Sequence, residues 1–336
     1  MKRLPRLLAV SLLSLFVVAC SDAPKDPEVV VYTSRKDHLI RPVFDLYSRE
    51  TGVRIRYTTD DDGALITRLA AEGRNSPADL LITVDAGNLW QAAERGLFQP
   101  VESEVLTSNI PANLRDPDNL WFGQTVRART IVYSTERVSP DQLSSYEALA
   151  EPQWRGRLCL RTSKKVYNQS LVATLIERHG EAQAEIIVRG WIDNLATDVF
   201  SNDNALMEAV AAGQCDVGIV NTYYFGRLLA DKPGLPIRLF WANQDGSGVH
   251  INISGVGLTA HAPNREEAIR LIEWMSTEAP QRLLAEQNLE YPVHPDVAPI
   301  DAVAAWGEFR GDDLNVAVAG QRQVQAVKLM DRAGYR

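Results

Sequence analysis

Two long strand-like runs constrain this chain more than any other feature. Trp121 to Tyr133 and Val249 to Leu258 each read as one extended strand, longer than the usual five or six residues. Between them lies a complete alternation of shorter strands and helices, and a similar alternation precedes the first run. A chain patterned this way leaves one lobe, builds a second and returns. The two crossings then form a hinge, and a cleft that closes around a ligand lies between the lobes.

The first alternation is explicit. Glu28 to Tyr32 is a β-branched strand, and a helix follows with Leu39, Ile40, Val43, Phe44 and Tyr47 at helical spacing before Gly52. Val53 to Tyr57 is the next strand, then a helix with Leu65, Ile66, Leu69 and Ala70 on one face, then the strand Ala78 to Val84 and a helix carrying Leu89, Trp90 and Ala93. Strand and helix at such short intervals predict an α/β lobe whose parallel sheet is covered on both faces. A second α/β series starts near Trp154 to Arg157. The division that follows is a first lobe of 28–126 plus 252–300, a second lobe of 127–251 and a C-terminal helical segment of 301–336. The acidic run Thr59 to Asp62 reads as a solvated loop, with the option of a carboxylate facing the cleft.

The N-terminus stands apart. Lys2, Arg3 and Arg6 precede an apolar run from Leu7 to Val18, too short for a good membrane span, and Ala19-Cys20 closes it. Residues 1–19 are a signal peptide, and the small residue before Cys20 resembles a lipoprotein processing site, with Cys20 as the lipidated residue. Residues 20–27, with two prolines and no apolar periodicity, read as a tether. The mature protein is expected outside the cytoplasm, in the periplasm, anchored by its lipid. In that oxidising compartment Cys159 and Cys215, each in a strand-like run, either pair or stay as buried thiols. The net charge of −8 argues against nucleic-acid binding, which needs a basic stripe to displace counterions.

The stretch Asn221 to Arg227 carries the chemistry. The adjacent Tyr223 and Tyr224 follow a strand-like run, Asp216 to Val220, and precede a turn glycine, Gly226, and a helix-like run. They therefore lie at the carboxyl end of a strand, where open α/β sheets bind ligands. On its own, a Tyr-Tyr pair more often packs than reacts.

Several short motifs, in order along the mature chain, change that balance. Thr33-Ser34-Arg35, Asn75-Ser76-Pro77-Ala78-Asp79, Trp154-Arg155-Gly156-Arg157, Tyr167-Asn168-Gln169-Ser170-Leu171, Asn221-Thr222-Tyr223-Tyr224, Ser254-Gly255-Val256-Gly257 and Ala262-Pro263-Asn264-Arg265-Glu266 resemble those of the periplasmic ferric-ion-binding proteins of bacterial ABC iron importers. The resemblance implies a two-lobed type II periplasmic-binding-protein fold and Fe(III) held by phenolates of Tyr167, Tyr223 and Tyr224. Tyr167 is expected in a loop just ahead of a helix. A hard trivalent ion prefers anionic oxygen donors, and three phenolates offset its charge. Some relatives carry His-Tyr behind the first-lobe arginine, where this chain has Lys36 and Asp37 followed by His38. Asp37 or His38 can substitute there, or a synergistic anion such as carbonate can complete the sphere, with Arg35 and Arg127 as its holders. His250 reads as structural.

The implied role is a monomeric binding protein, not an enzyme, that delivers iron to an inner-membrane permease. The chain lacks a Gly-x-x-x-x-Gly-Lys-Ser/Thr loop, so the ATPase is a separate subunit. The same fold holding an oxyanion or another small solute is the alternative. A secreted hydrolase is disfavoured, as there is no Gly-x-Ser-x-Gly elbow and no His-Glu-x-x-His.

Overall fold

The computed structural model describes residues 27–336. The leader, the lipid site at Cys20 and the tether up to Asp26 lie outside the described residues. Among the described residues no helix is long and apolar enough to cross a membrane.

Among the described residues nine strands form two sheets joined through a shared strand, β4: β1 (Glu28–Thr33), β2 (Arg54–Thr59), β3 (Leu80–Thr83), β4 (Phe122–Ser134), β5 (Leu158–Cys159), β6 (Val217–Asn221), β7 (Ile237–Phe240), β8 (Ile251–Leu258) and β9 (Tyr291–Pro292). The order is β2-β1-β3-β8-β4-β6-β5, with β7 and β9 also pairing β4. β1, β2 and β3 are mutually parallel, as short strand-helix-strand units require. The returning strand β8 extends this parallel set in the opposite sense, pairing antiparallel with both β3 and β4. β4 carries the chain out of the first lobe and β8 brings it back, so the two run in opposite directions side by side.

β4 belongs to both lobes. From Phe122 to Ala128 it pairs β8, and from Arg129 onward it pairs β6 and β7. All thirteen of its residues are buried. On one side of this switch a core gathers residues 29–126 with Ile253, Val256, Leu271 and Leu284. On the other, the helices Val166–His179, Glu181–Asp193 and Gln323–Arg332 cover one face of the second sheet. A smaller cluster of Val132, Cys159, Leu206, Met207 and Phe225 covers the opposite face. The segment beyond residue 300 therefore does not stand alone: its last helix packs into the second lobe through Ala326, Leu329 and Met330, while Val316, Ala317 and Ala319 join the first core.

Cys159 and Cys215 form a disulfide that ties β5 to the residue pair ahead of β6. The thiols are buried beside parallel neighbours, which brings their Cα atoms to 5.9 Å. With a sequence separation of 56, closing this loop in the unfolded chain is worth about 3–4 kcal/mol. Cys215→Ser is expected to lower unfolding stability by that order in denaturant titrations, and reductant should have the same effect on the wild type but none on the variant.

Candidate functional site

Two strand ends deliver three phenols. The helix Val166–His179 follows β5 after a short connection, and the helix Thr222–Asp231 starts directly where β6 ends. Tyr167 is the second residue of the first helix, and Tyr223 and Tyr224 are the second and third of the other. Tyr167 is thus helical rather than in a loop. Gly226 is likewise no turn residue but sits inside the second helix, because a Cβ there would come within 2.6 Å of Trp306 Cζ2 and 2.8 Å of Leu289 Cδ1. The glycine marks a close approach of the tyrosine helix to the first-lobe segment around Leu289, not a break.

Arg129, on the second-lobe part of β4, is 2% exposed. Its Nε donates to Asn168 Oδ1 at 2.9 Å, its Nη1 to Asn221 Oδ1 and Asp203 Oδ2 at 3.1 Å each, and its Nη2 to the Ile219 carbonyl at 3.1 Å. Asp203 also accepts from the Asn221 backbone N–H at 2.9 Å and from Arg161 Nη1 at 3.4 Å.

The phenols meet in a cavity of about 130 Å³ whose walls include Ser34, Arg35, Lys36, Arg127, Arg227 and Glu290. The Tyr223 and Tyr224 rings stand 4.3 Å apart between centroids, tilted by 39°. The Tyr223 oxygen accepts from Asn221 Nδ2 at 3.3 Å. Burial, reinforced by the Tyr224 phenol, pushes Tyr167 up to about 12 against the pull of Arg127. Burial and the two other phenols hold Tyr223 well above its ordinary value, again opposed by Arg127. At neutral pH both phenols therefore keep their protons until a cation displaces them.

Cationic groups crowd the same space. Arg35 Nη2 reaches Glu290 Oε2 at 2.8 Å and Thr125 Oγ1 at 2.5 Å. Arg127 donates to Ser254 Oγ at 3.4 Å and to the Val84 carbonyl, and lies 3.9 Å from Glu290 and 3.7 Å from Asp85. Burial alone would raise the Glu290 carboxyl, but Arg35 and Arg127 outweigh it and hold the group below its usual range. Arg161 lies 5.4 Å from the Tyr167 ring centre and 5.7 Å from that of Tyr224, and Arg227 lies 5.3 Å from Tyr223. Four buried guanidinium groups, Arg35, Arg127, Arg129 and Arg161, thus face three buried carboxylates, Asp85, Asp203 and Glu290. Lys36 and Arg227 add positive charge with no carboxylate partner among the described residues. Ser34 Oγ is buried there without a hydrogen-bond partner among the described residues.

Tyr167, Tyr223, Tyr224, Arg35 and Arg127 all line the cavity. Asp37 and His38 do not. The helix Asp37–Thr51 begins at Asp37, which turns its carboxylate to Tyr57 Oη at 2.6 Å and Arg41 at 2.5 Å, and His38 is exposed. Lys36, the last residue before that helix, occupies the wall instead. No three His, Cys, Asp or Glu side chains gather into a metal cage among the described residues, and the oxygen donors that line the cavity include the three phenols, Glu290 and the hydroxyls of Ser34 and Ser254. Asp62, in the run read as a solvated loop, opens the helix Asp62–Glu72 and accepts from the Val84 N–H at 3.3 Å. Arg161, Arg227, Asp203 and Glu290 were not singled out by the sequence. One signal was available: Arg127 and Arg129 alternate along a strand-like run, which puts two charges on one face of a central strand.

Asp85 joins the lobes. It caps the helix Ala86–Glu94 through the Gly87 N–H at 2.8 Å and accepts from Ser170 Oγ at 3.0 Å and Asn252 Nδ2 at 2.9 Å. Gly226→Ala should cost about 1–3 kcal/mol by overpacking against Leu289 and Trp306. An unchanged denaturation midpoint would show that the tyrosine helix and that segment do not touch in solution.

Residues 75–308 match the profile of the family described as bacterial extracellular solute-binding protein. The chain is 39% identical to Iron uptake protein A1 of Synechocystis sp. over 358 aligned positions, covering 100% of this chain and 99% of that protein. It is 47% identical to Iron uptake protein A2 of the same organism over 281 positions, 81% of each. The structure of a Trichodesmium protein in complex with iron and citrate ligands superposes with a TM-score of 0.89 at 42% identity, covering 92% of this chain and 100% of that one.

Proposed function

Because this chain belongs to the bacterial extracellular solute-binding proteins, we propose that it captures Fe(III) between its lobes through the phenolates of Tyr167, Tyr223 and Tyr224 and passes it to an ABC permease. The observation that carries this reading is the convergence of three phenols from two helix starts in one small cavity. Ferric ion is a hard acid that such donors suit, and three phenolates balance its charge. Capture releases phenol protons, so affinity falls as pH falls: Tyr167 and Tyr223, whose values are raised, must each lose a proton before they bind.

A synergistic anion, carbonate or a carboxylate such as citrate, completes the coordination in place of a donor from Asp37 or His38. Three phenolates neutralise the metal and leave the excess cations of the cavity uncompensated, so a multiply charged anion fits the remainder. Lys36, Arg35 and Arg227 supply charge for it, and the orphaned Ser34 Oγ supplies a hydroxyl. Arg127 is the weaker holder, since its donors already serve Val84 and Ser254. The protein works as a periplasmic monomer tethered by a lipid on Cys20, and the permease draws its energy from a separate ATPase subunit. The cation excess also favours a second reading, in which an oxyanion binds without metal.

Phenolate-to-iron(III) charge transfer gives a visible band, so titrating the metal-free mature domain with ferric citrate should yield a saturating absorbance that weakens or shifts in Tyr223→Phe. The band should fade on mild acidification and return on neutralisation. A colourless wild type that still binds citrate or carbonate would transfer the assignment to the oxyanion reading.

A further inference from the structure

We propose that Arg129 is a positioning residue for this site, setting the spacing of the two tyrosine-bearing helix starts and orienting the Tyr223 oxygen through Asn221. The proposal rests on the tyrosinate reading above. Each tyrosine helix start has an asparagine beside its ligand, Asn168 next to Tyr167 within the helix and Asn221 at the end of β6, two residues before Tyr223, and one guanidinium grips both. The amide of Asn168 cannot turn away, because its Nδ2 already donates to the carbonyls of Arg161 at 2.8 Å and Thr162 at 2.9 Å, which leaves Oδ1 for Arg129. Asn221 is oriented the same way: with Oδ1 held by Arg129, its Nδ2 points at the Tyr223 oxygen.

Two consequences follow. The distance between the first turns is fixed by a rigid planar fork rather than by packing of two independent helices. The Tyr223 oxygen also receives a hydrogen bond from behind, which leaves its remaining electron pairs to face the cavity and persists after the proton is lost. Groups that orient metal ligands in this manner commonly change affinity when removed, although they touch no metal. Asp203 balances the charge of Arg129 and fixes its orientation from the other side.

Arg129→Lys keeps a buried cation beside Asp203 but cannot span both asparagines, and Asn221→Ala removes the relay to Tyr223 together with one arm of the fork. With folding verified by circular dichroism, both variants should show a shifted charge-transfer band, weaker per bound iron, and release to a competing chelator about 10–100-fold faster than wild type. A folded Asn221→Ala with wild-type band position, intensity and release overturns the relay, and a folded Arg129→Lys with the same properties overturns the fork. Should Arg129→Lys fail to fold, a folded Asn168→Ala, which frees the other arm of the fork and leaves the relay in place, decides for the fork: wild-type band and release overturn it. Absence of a band in the wild type would instead sink the tyrosinate reading itself.

Discussion

The architecture depends on one strand changing partners. At the junction of Ala128 and Arg129, β4 stops pairing with β8 and starts pairing with β6 and β7. A strand that is buried along its whole length and belongs to two sheets cannot slip by one residue without turning its apolar side chains out of both cores. Its two charged residues are therefore fixed as firmly as its hydrophobic ones. Arg127 lies on the first-lobe side of the switch and faces the phenols, and Arg129 lies just beyond it and holds the asparagines that flank them. The hinge strand and the floor of the binding site are thus the same piece of backbone.

A cation site walled by arginines looks paradoxical until the protons are counted. The phenols are protonated in the absence of metal, since burial holds Tyr167 and Tyr223 above their ordinary values. Before metal binds, the cavity therefore carries the charge of Arg35, Lys36, Arg127 and Arg227, tempered by Glu290. On the proposed tyrosinate ligation, that surplus repels bare cations in general and favours those able to ionise three phenols at once. It also lowers the cost of forming three adjacent phenolates, which would otherwise repel one another strongly at such short range. Selection for a hard, highly charged ion accompanied by an anion follows from this balance.

Much of this was legible in the sequence because it is written in local patterns. The crossing strands, the alternation of 28–94 and the tyrosines after strands all follow from periodicity and short motifs. What escaped was written across the chain. Arg129 and Asp203 are 74 residues apart and Arg35 and Glu290 are 255 apart, and no spacing announces either pair. Both helices start earlier than expected, at Val166 and Thr222, the second because Gly226 reads as a turn residue. Here the asparagines are bound from the side by a buried cation, and the glycine admits Trp306. The antiparallel return of β8 escaped for a similar reason, since strand direction depends on where the chain comes from and not on its composition.

The contacts that bridge the lobes suggest what governs opening. Along the first turn of the Tyr167 helix, Ser170 donates to Asp85, and Gln323 links Gln91 of the first lobe to Gln169 of the second. Neutral hydrogen bonds of this kind are worth about 0.5–1.5 kcal/mol each, and those to a carboxylate about 1.5–3. A few such bonds bias the closed form without locking it. The larger stake lies in the cavity, where Arg227 donates to Asn288 and the tyrosine helix leans on Leu289, so that closing brings first-lobe and second-lobe cations together. Without anionic ligand charge between them that approach is opposed, and with it the approach is favoured. The closed state is then stabilised by occupancy rather than by the lobes' attraction for each other, which is the differential interaction a ligand needs in order to shift a conformational equilibrium.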